Sequence, residues 1–310
     1  MSSWTTRDIP DLSGRTAVVT GANSGLGLQV SIELARHSAH VLLACRDRAR
    51  GTSALRQVVG SAELVLLDLA DLAAVRAAAA EIGRAHDRLD LLVCNAGVMA
   101  TPYRTTADGF ELQFGTNHLG HFALAGLLMP RLLAAPAARV VVVSSTMHRL
   151  GRMSPDDLGL NRRYQKWFAY RRSKLANLLF MNELQHRADA AGADLTSVGA
   201  HPGWATTNLQ VTGPRMAGSG VGQALATLGN RLFGQSAQTG ALPLLRAATD
   251  PDVAPASYYG PGGPGGQHGP RALASMSAAA RDPATARALW EESERLTGVA
   301  YDWSTRRPAR

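Results

Sequence analysis

Short apolar runs alternate with longer helix-periodic stretches along most of this 310-residue chain, and this pattern restricts the fold more than any other feature. Runs at 16–20, 40–45, 63–67, 89–94, 139–144 and 195–200 draw mostly on Val, Leu and Ala, and a short run at 257–259 (Ser-Tyr-Tyr) is a further candidate strand. Strands that are apolar on both sides are covered on both faces, and helices between them make parallel crossovers. Helical periodicity fills 25–37, 48–58, 72–86, 109–133 and 164–190. A later helix at 283–296 presents Ala288, Leu289 and Trp290 as its packing face. The expected architecture is α/β, a doubly wound parallel β-sheet in a single domain spanning 1–310. Its core covers about 14–260, a Gly/Ala/Thr-rich helical flap covers 206–235, and a C-terminal extension covers 261–310. The Gly/Pro-rich stretch 260–269 predicts an irregular loop.

Composition narrows the classes further. Hydrophobic residues make up 45% and charged residues 18%, which fits a folded globular chain. No apolar run reaches the length of a membrane span, and the first fourteen residues lack a signal-peptide pattern, so a cytoplasmic protein with no membrane contact is expected. Cys45 and Cys94 fall near strand ends and read as small core residues. The net charge of +8 comes from scattered arginines without interleaved aromatics, so no nucleic acid is expected as a partner. His118, His121 and His148 lack paired ligand spacing, and no metal is expected.

The first strand runs straight into Thr20-Gly-Ala-Asn-Ser-Gly-Leu-Gly27, where a helix begins. Gly21, Gly25 and Gly27 let the backbone turn tightly and approach a ligand closely, while Asn23, Ser24 and Leu26 complete the turn. Free N–H groups and the macrodipole at such a helix start favour a diphosphate. At the end of the second strand the chain reads Ala44-Cys-Arg46-Asp47, with arginine where a ribose-binding carboxylate would stand. Arg46 is suited to a 2′-phosphate, which favours NADP(H) over NAD(H); Asp47 suits the cap of the next helix.

Tyr170 and Lys174 are four residues apart in a helical stretch and therefore share a face. A fixed cation beside a phenol stabilises its anion and draws its pKa towards working pH. The pairing stands out because Lys166 and Lys174 are the chain's only lysines.

With the glycine turn and Tyr170-x-x-x-Lys174 in one α/β chain, the sequence resembles the short-chain dehydrogenase/reductase family, whose Rossmann fold matches the expected architecture. Asp68-Leu69, Asn95-Ala96-Gly97, Asn117, Ser145, and His201-Pro202-Gly203 with Thr206 fall in the family's order. The texture of Leu43-Ala-Cys-Arg-Asp47, Asn117-His-Leu-Gly-His121 and Tyr170-x-x-Ser-Lys-Leu-Ala-Asn177 is similar to the retinol dehydrogenase and WW-domain oxidoreductase branch. The resemblance implies hydride transfer between a nicotinamide and a carbonyl or alcohol, with Tyr170 as general acid and base. It also implies that Ser145 bonds the substrate oxygen, Lys174 the nicotinamide ribose, and Asn117 a water linking Lys174 to solvent. Asp68 and Leu69 are then expected at the adenine, Asn95, Ala96 and Gly97 along the cofactor, and Pro202, Gly203 and Thr206 at the carboxamide.

The implied substrate is a hydrophobic small molecule, with Met147, Trp167 and Phe168 as candidate pocket walls. Trp204 is a candidate floor for the nicotinamide side. A homodimer or homotetramer built on the long helices is left open. Two alternatives are carried forward: a protochlorophyllide-reductase-like double-bond reductase, and a non-catalytic NADP(H)-sensing module. The retention of both Tyr170 and Lys174 weighs against the second.

Overall fold

The computed structural model describes residues 4–153, 164–203, 235–263, 266, 269 and 271–304. Its centre is one eight-stranded sheet: β1 (Thr16–Thr20), β2 (His40–Cys45), β3 (Ala62–Leu66), β4 (Leu91–Cys94), β5 (Ala138–Val143), β6 (Leu195–Ala200), β7 (Tyr258–Pro261) and β8 (Arg271–Leu273). The spatial order is β3-β2-β1-β4-β5-β6-β7-β8; all neighbours are parallel except β7 and β8, which pair antiparallel. The order reverses between β1 and β4, and a crevice opens beyond the carboxyl ends of strands at such a switch point.

The strands carry apolar side chains to both faces. Val18 joins one cluster, whereas its neighbours Ala17 and Val19 join the other. The first cluster is closed by α3 (Leu72–Ala85), α5 (Gly120–Leu132), α6 (Lys166–Ala190) and the last helix, and the second by α1 (Gly25–Arg36), α2 (Arg48–Leu55) and α7 (Ala237–Thr249). The last helix, α8 (Pro283–Thr297), sets Trp290 against Phe122 and Phe180, with ring centroids 5.0 and 5.9 Å away. Tyr301 closes over Trp290 at 4.4 Å. The C-terminal extension therefore belongs to the same core that supports α5 and α6.

Several elements differ from expectation. The helix expected over 109–133 is interrupted: α4 is the short turn Leu112–Phe114, Gly115–Leu119 is a π-helical turn, and only then does α5 begin. A single wide turn of this type shifts helical phase locally and is frequent at functional sites. Helix α7 is not among the expected helices, and it contains Gly240 and Pro243, which oppose local propensity. Ser236 caps its start by accepting from Thr239 N–H at 3.2 Å, and Pro243 and Leu244 are buried. The loop expected over 260–269 begins later, since Gly260 and Pro261 belong to β7 and pair with β8. The flap expected over 206–235 lies outside the described residues except for Gln235. Among the described residues, no helix is long and apolar enough to cross a membrane.

Candidate active site

The crevice at the switch point is a cleft of about 220 Å³ lined from both sides of the reversal. Gly21, Asn23, Ser24, Gly25 and Leu26 form one wall; Arg46 and Arg50 stand at the end of β2; Asp68 and Leu69 follow β3; Asn95, Ala96 and Gly97 follow β4. Gly27 lies behind this wall, where an added Cβ would be 2.5 Å from the Gly21 carbonyl oxygen and 2.6 Å from Asn95 Nδ2. Only glycine lets α1 start so close to the turn. Thr20 ties the cradle to β4: its hydroxyl accepts from Asn95 N and Ala96 N at 3.0 Å each, and its carbonyl accepts from Asn95 Nδ2 at 2.8 Å. Ser24 occupies the N-cap of α1 without a side-chain capping bond, so the first N–H groups of the helix are not taken by it. These features suit the diphosphate of a dinucleotide.

Asp47 caps α2, accepting from Arg50 N–H at 2.9 Å. Its carboxylate is thereby spent on the helix. Arg50, a cleft residue that sequence reasoning missed, sits one turn into α2. With the Asn23 amide oxygen turned towards it, Arg50 donates from Nε and Nη2 at 3.2 Å each. The signal was available: a capping Asp at 47 places residue 50 in the first turn, and helical side chains lean towards the N-terminus.

Tyr170, Lys174 and Asn117 are 4%, 3% and 0% exposed, so the centre is dry. Helix α6 carries Tyr170 and Lys174 one turn apart, with Lys174 Nζ 5.8 Å from the phenol ring centroid. Nζ donates to the Val143 carbonyl at 3.2 Å, at the end of β5. Ser145, two residues on, has its hydroxyl beside the phenol. Burial pushes the Tyr170 phenol up to about 12, and Ser145 works the other way. Burial also lowers the Lys174 ammonium to about 8. The expected lowering of the phenol by Lys174 does not enter: burial sets the direction, and only Ser145 opposes it.

Asn117 lies in the π-helical turn and is committed to backbone on both sides of its amide. Oδ1 accepts from Val98 N at 2.7 Å, while Nδ2 donates to Val98 O and Ser173 Oγ at 2.9 Å each. It pins the segment after β4 against α6. Gly97 sits between the two: a Cβ there would be 2.9 Å from Asn117 Oδ1 and 3.7 Å from Lys174 Nζ.

His121 is buried and held near 4 by desolvation, hence neutral. Its Nδ1 faces the Asn117 carbonyl at 3.0 Å and its Nε2 faces Thr20 Oγ1 at 2.8 Å. The consistent tautomer carries the proton on Nδ1 and accepts from Thr20, linking cradle to active-site turn. His118 faces Ser293 Oγ at 2.9 Å in the core, and His148 bonds the Ser145 carbonyl through Nδ1 at 2.7 Å. Pro202 and Gly203 follow β6, with Gly203 N donating to His201 Nδ1 at 3.2 Å. Thr206 and Trp204 lie outside the described residues. Phe168 and Met147 are half-buried; Trp167 is exposed, its ring centroid 6.5 Å from that of Tyr170 in an edge-on arrangement. Cys45 and Cys94 are buried free thiols, and burial pushes Cys94 up to about 12.

The cleft lining reaches Gly97, where an added Cβ would be 3.7 Å from Lys174 Nζ, so the cleft approaches the buried Tyr170–Lys174 face of α6. The sequence profile described as short chain dehydrogenase matches residues 15–216, and the chain belongs to that family. Within it the chain lies in the retinol dehydrogenase branch. Retinol dehydrogenase 14 of Mus musculus is 39% identical over 305 residues, covering 93% of this chain and 87% of that one. Retinol dehydrogenase 13 of Homo sapiens is 38% identical over 296 residues, covering 93% and 86%. A crystal structure of an uncharacterized protein from Mycobacterium paratuberculosis superposes with TM-score 0.82 at 43% identity, over 97% of this chain and all of that one. A structure from Beutenbergia cavernae with bound NADP gives TM-score 0.58 at 26% identity, over 77% and 91%.

Proposed function

We propose that this oxidoreductase uses NADP(H) to interconvert a carbonyl and an alcohol on a hydrophobic small molecule, with Tyr170 as the general acid and base. The observation that carries the reading is the grouping of Tyr170, Lys174 and Ser145 at one buried point, with Lys174 next to Gly97 of the cleft. The cradle of Gly21–Gly27 and the Asn95–Gly97 segment would hold the dinucleotide. Asp68 and Leu69 would meet its adenine, Lys174 its nicotinamide ribose, and Pro202, Gly203 and Thr206 its carboxamide. When bound, the nicotinamide gives or takes the hydride at the substrate carbon.

In reduction, the Tyr170 phenol donates its proton to the carbonyl oxygen. Its high pKa keeps that proton in place at neutral pH until the oxygen gains charge. The Ser145 hydroxyl donates a hydrogen bond to the same oxygen, in a site where water does not screen it. Lys174 Nζ stands on the proton path behind the phenol, and Asn117 holds the 97–98 segment that shapes that path. In oxidation the phenolate accepts the alcohol proton, which requires added positive charge near Tyr170.

The choice of NADP(H) is supported by Arg46 and Arg50 at the end of β2 and by the engagement of Asp47 in a cap. Two guanidinium groups suit a 2′-phosphate and offer no acceptor to a free 2′-hydroxyl. A hydrophobic substrate is supported by the names of the retinol dehydrogenase relatives and by the exposed Trp167 ring near Tyr170. The test is consumption of NADPH, with NADH in parallel, over a panel of aliphatic, aromatic, steroid-like and retinoid-like aldehydes and ketones. Turnover preferring NADPH and apolar carbonyls is expected; a clear preference for NADH would overturn the arginine argument, and silence across the panel the carbonyl argument.

A further inference from the structure

We infer that the edge of the sheet opposite the cleft carries a binding site for a zinc-class divalent ion, built from His40, Glu63 and His86. The three come from separate elements: His40 opens β2, Glu63 is the second residue of β3, and His86 follows the last turn of α3. The sequence spacing gives no ligand motif, so only the fold brings them together. Among the described residues it is the only group of three or more His, Cys, Asp or Glu side chains whose ligand atoms all lie within 4.8 Å of one another.

The distances suit a shared ion. His86 Nε2 is 2.8 Å and His40 Nε2 is 3.7 Å from Glu63 Oε1. These separations bracket roughly 3.3 Å, the edge of a tetrahedron with metal–ligand bonds near 2.0–2.1 Å. The two imidazole rings are 5.4 Å apart and tilted by 38°, both turning a nitrogen to the same carboxylate oxygen.

The shell behind the ligands is also present. His40 Nδ1 is 2.7 Å from Ser61 Oγ. With its proton on Nδ1 and donated to Ser61, His40 points the lone pair of Nε2 at the carboxylate. At 3.7 Å that nitrogen is beyond hydrogen-bond reach of Oε1, and an ion between them satisfies both. Two imidazoles and one carboxylate suit Zn²⁺ or a neighbouring divalent transition ion, with a fourth position left to water. The residues are partly exposed, so an ion can reach them. Strand β2 separates the site from the cleft by about 16 Å, its own length. An ion here acts as a clamp joining β2, β3 and the end of α3, not as a participant at Tyr170.

The experiment uses the full chain without a histidine tag, stripped with EDTA and titrated with ZnCl₂ by calorimetry. Co²⁺ serves as a spectroscopic probe of coordination. One saturable ion per chain is expected, with visible Co²⁺ bands of a low-coordinate nitrogen–oxygen site. The melting temperature should rise on addition of zinc. His86→Ala and Glu63→Gln should each abolish the saturable event and the rise in melting temperature, and Ser61→Ala should weaken binding by about tenfold. Far-ultraviolet circular dichroism in EDTA confirms that each variant folds. Absence of saturable binding in the wild type, or unchanged binding in both His86→Ala and Glu63→Gln, overturns the site.

Discussion

Replacing Lys174 with methionine should stabilise the protein without cofactor while removing its activity. The ammonium is 3% exposed, and burial holds its pKa at about 8 against an ordinary 10.5. At about 1.36 kcal/mol per pH unit, keeping this group charged costs the fold on the order of 3 kcal/mol at neutral pH. The sign follows from proton counting. Between pH 8 and 10.5 the unfolded chain keeps a proton that the folded chain has released, so stability rises with pH across that window. The penalty is complete below about 8 and gone above 10.5. Lys174→Met removes the charge at little change of volume, and Val143 O keeps its other donor, Asn177 Nδ2 at 3.0 Å. Allowing for imperfect repacking, a gain of about 1–3 kcal/mol is expected at pH 7. Urea unfolding followed by circular dichroism at pH 7 and pH 10, wild type beside variant, measures it. A variant no more stable at pH 7, or an advantage that does not shrink by pH 10, would mean that the buried ammonium carries no such cost.

The cleft and the core give three further predictions. Arg50→Ala and Arg46→Ala should each raise KM for NADPH by about ten- to a hundredfold and leave NADH kinetics nearly unchanged, read from initial rates with both cofactors. Gly27→Ala forces a Cβ to within 2.5 Å of the Gly21 carbonyl; a loss of about 1–3 kcal/mol and weaker NADPH binding are expected from melts and fluorescence titration. His118, His121 and His201 are held by burial near 3, 4 and 4. They stay neutral in the fold while the unfolded chain takes up protons below about 6.5. Stability should therefore fall as pH drops from 6.5 towards 4, by on the order of 1.4 kcal/mol per pH unit for each histidine. Chemical unfolding across that range checks this, and His121→Gln should flatten the slope.

The parts of the fold that were readable in the sequence are those whose burial is uniform. Strands β1 and β2 are apolar between their ends because sheet neighbours and helices cover both faces, so their limits follow from composition. β4 begins at Leu91, later than its apolar run, because Asp90 turns its carboxylate back to accept from Thr16 N–H at 2.9 Å. Helix α7 was illegible because Pro243 and Gly240 oppose local propensity, and only packing against α1 and the sheet overrides them. The π-helical turn under Asn117 leaves no composition signal, yet it carries that side chain to Val98.

The same division applies to the site. Tyr170 and Lys174 were legible because helical spacing is enough to place them together. Their pKa values were not, since desolvation depends on what α5, β5 and α8 bring around α6. Arg50 was half-hidden: its place depends on Asp47 acting as a cap. The His40, Glu63 and His86 group was invisible, because parallel pairing of β2 with β3, and not spacing along the chain, makes the three neighbours.

The claim that Tyr170 moves the proton is tested most directly by Tyr170→Phe in single-turnover reduction of whichever carbonyl the wild type accepts, with NADPH binding followed separately by fluorescence. Unchanged NADPH affinity and a hydride-transfer rate lower by about 10²–10⁴-fold are expected. Transfer at close to the wild-type rate in the phenylalanine variant would contradict the claim.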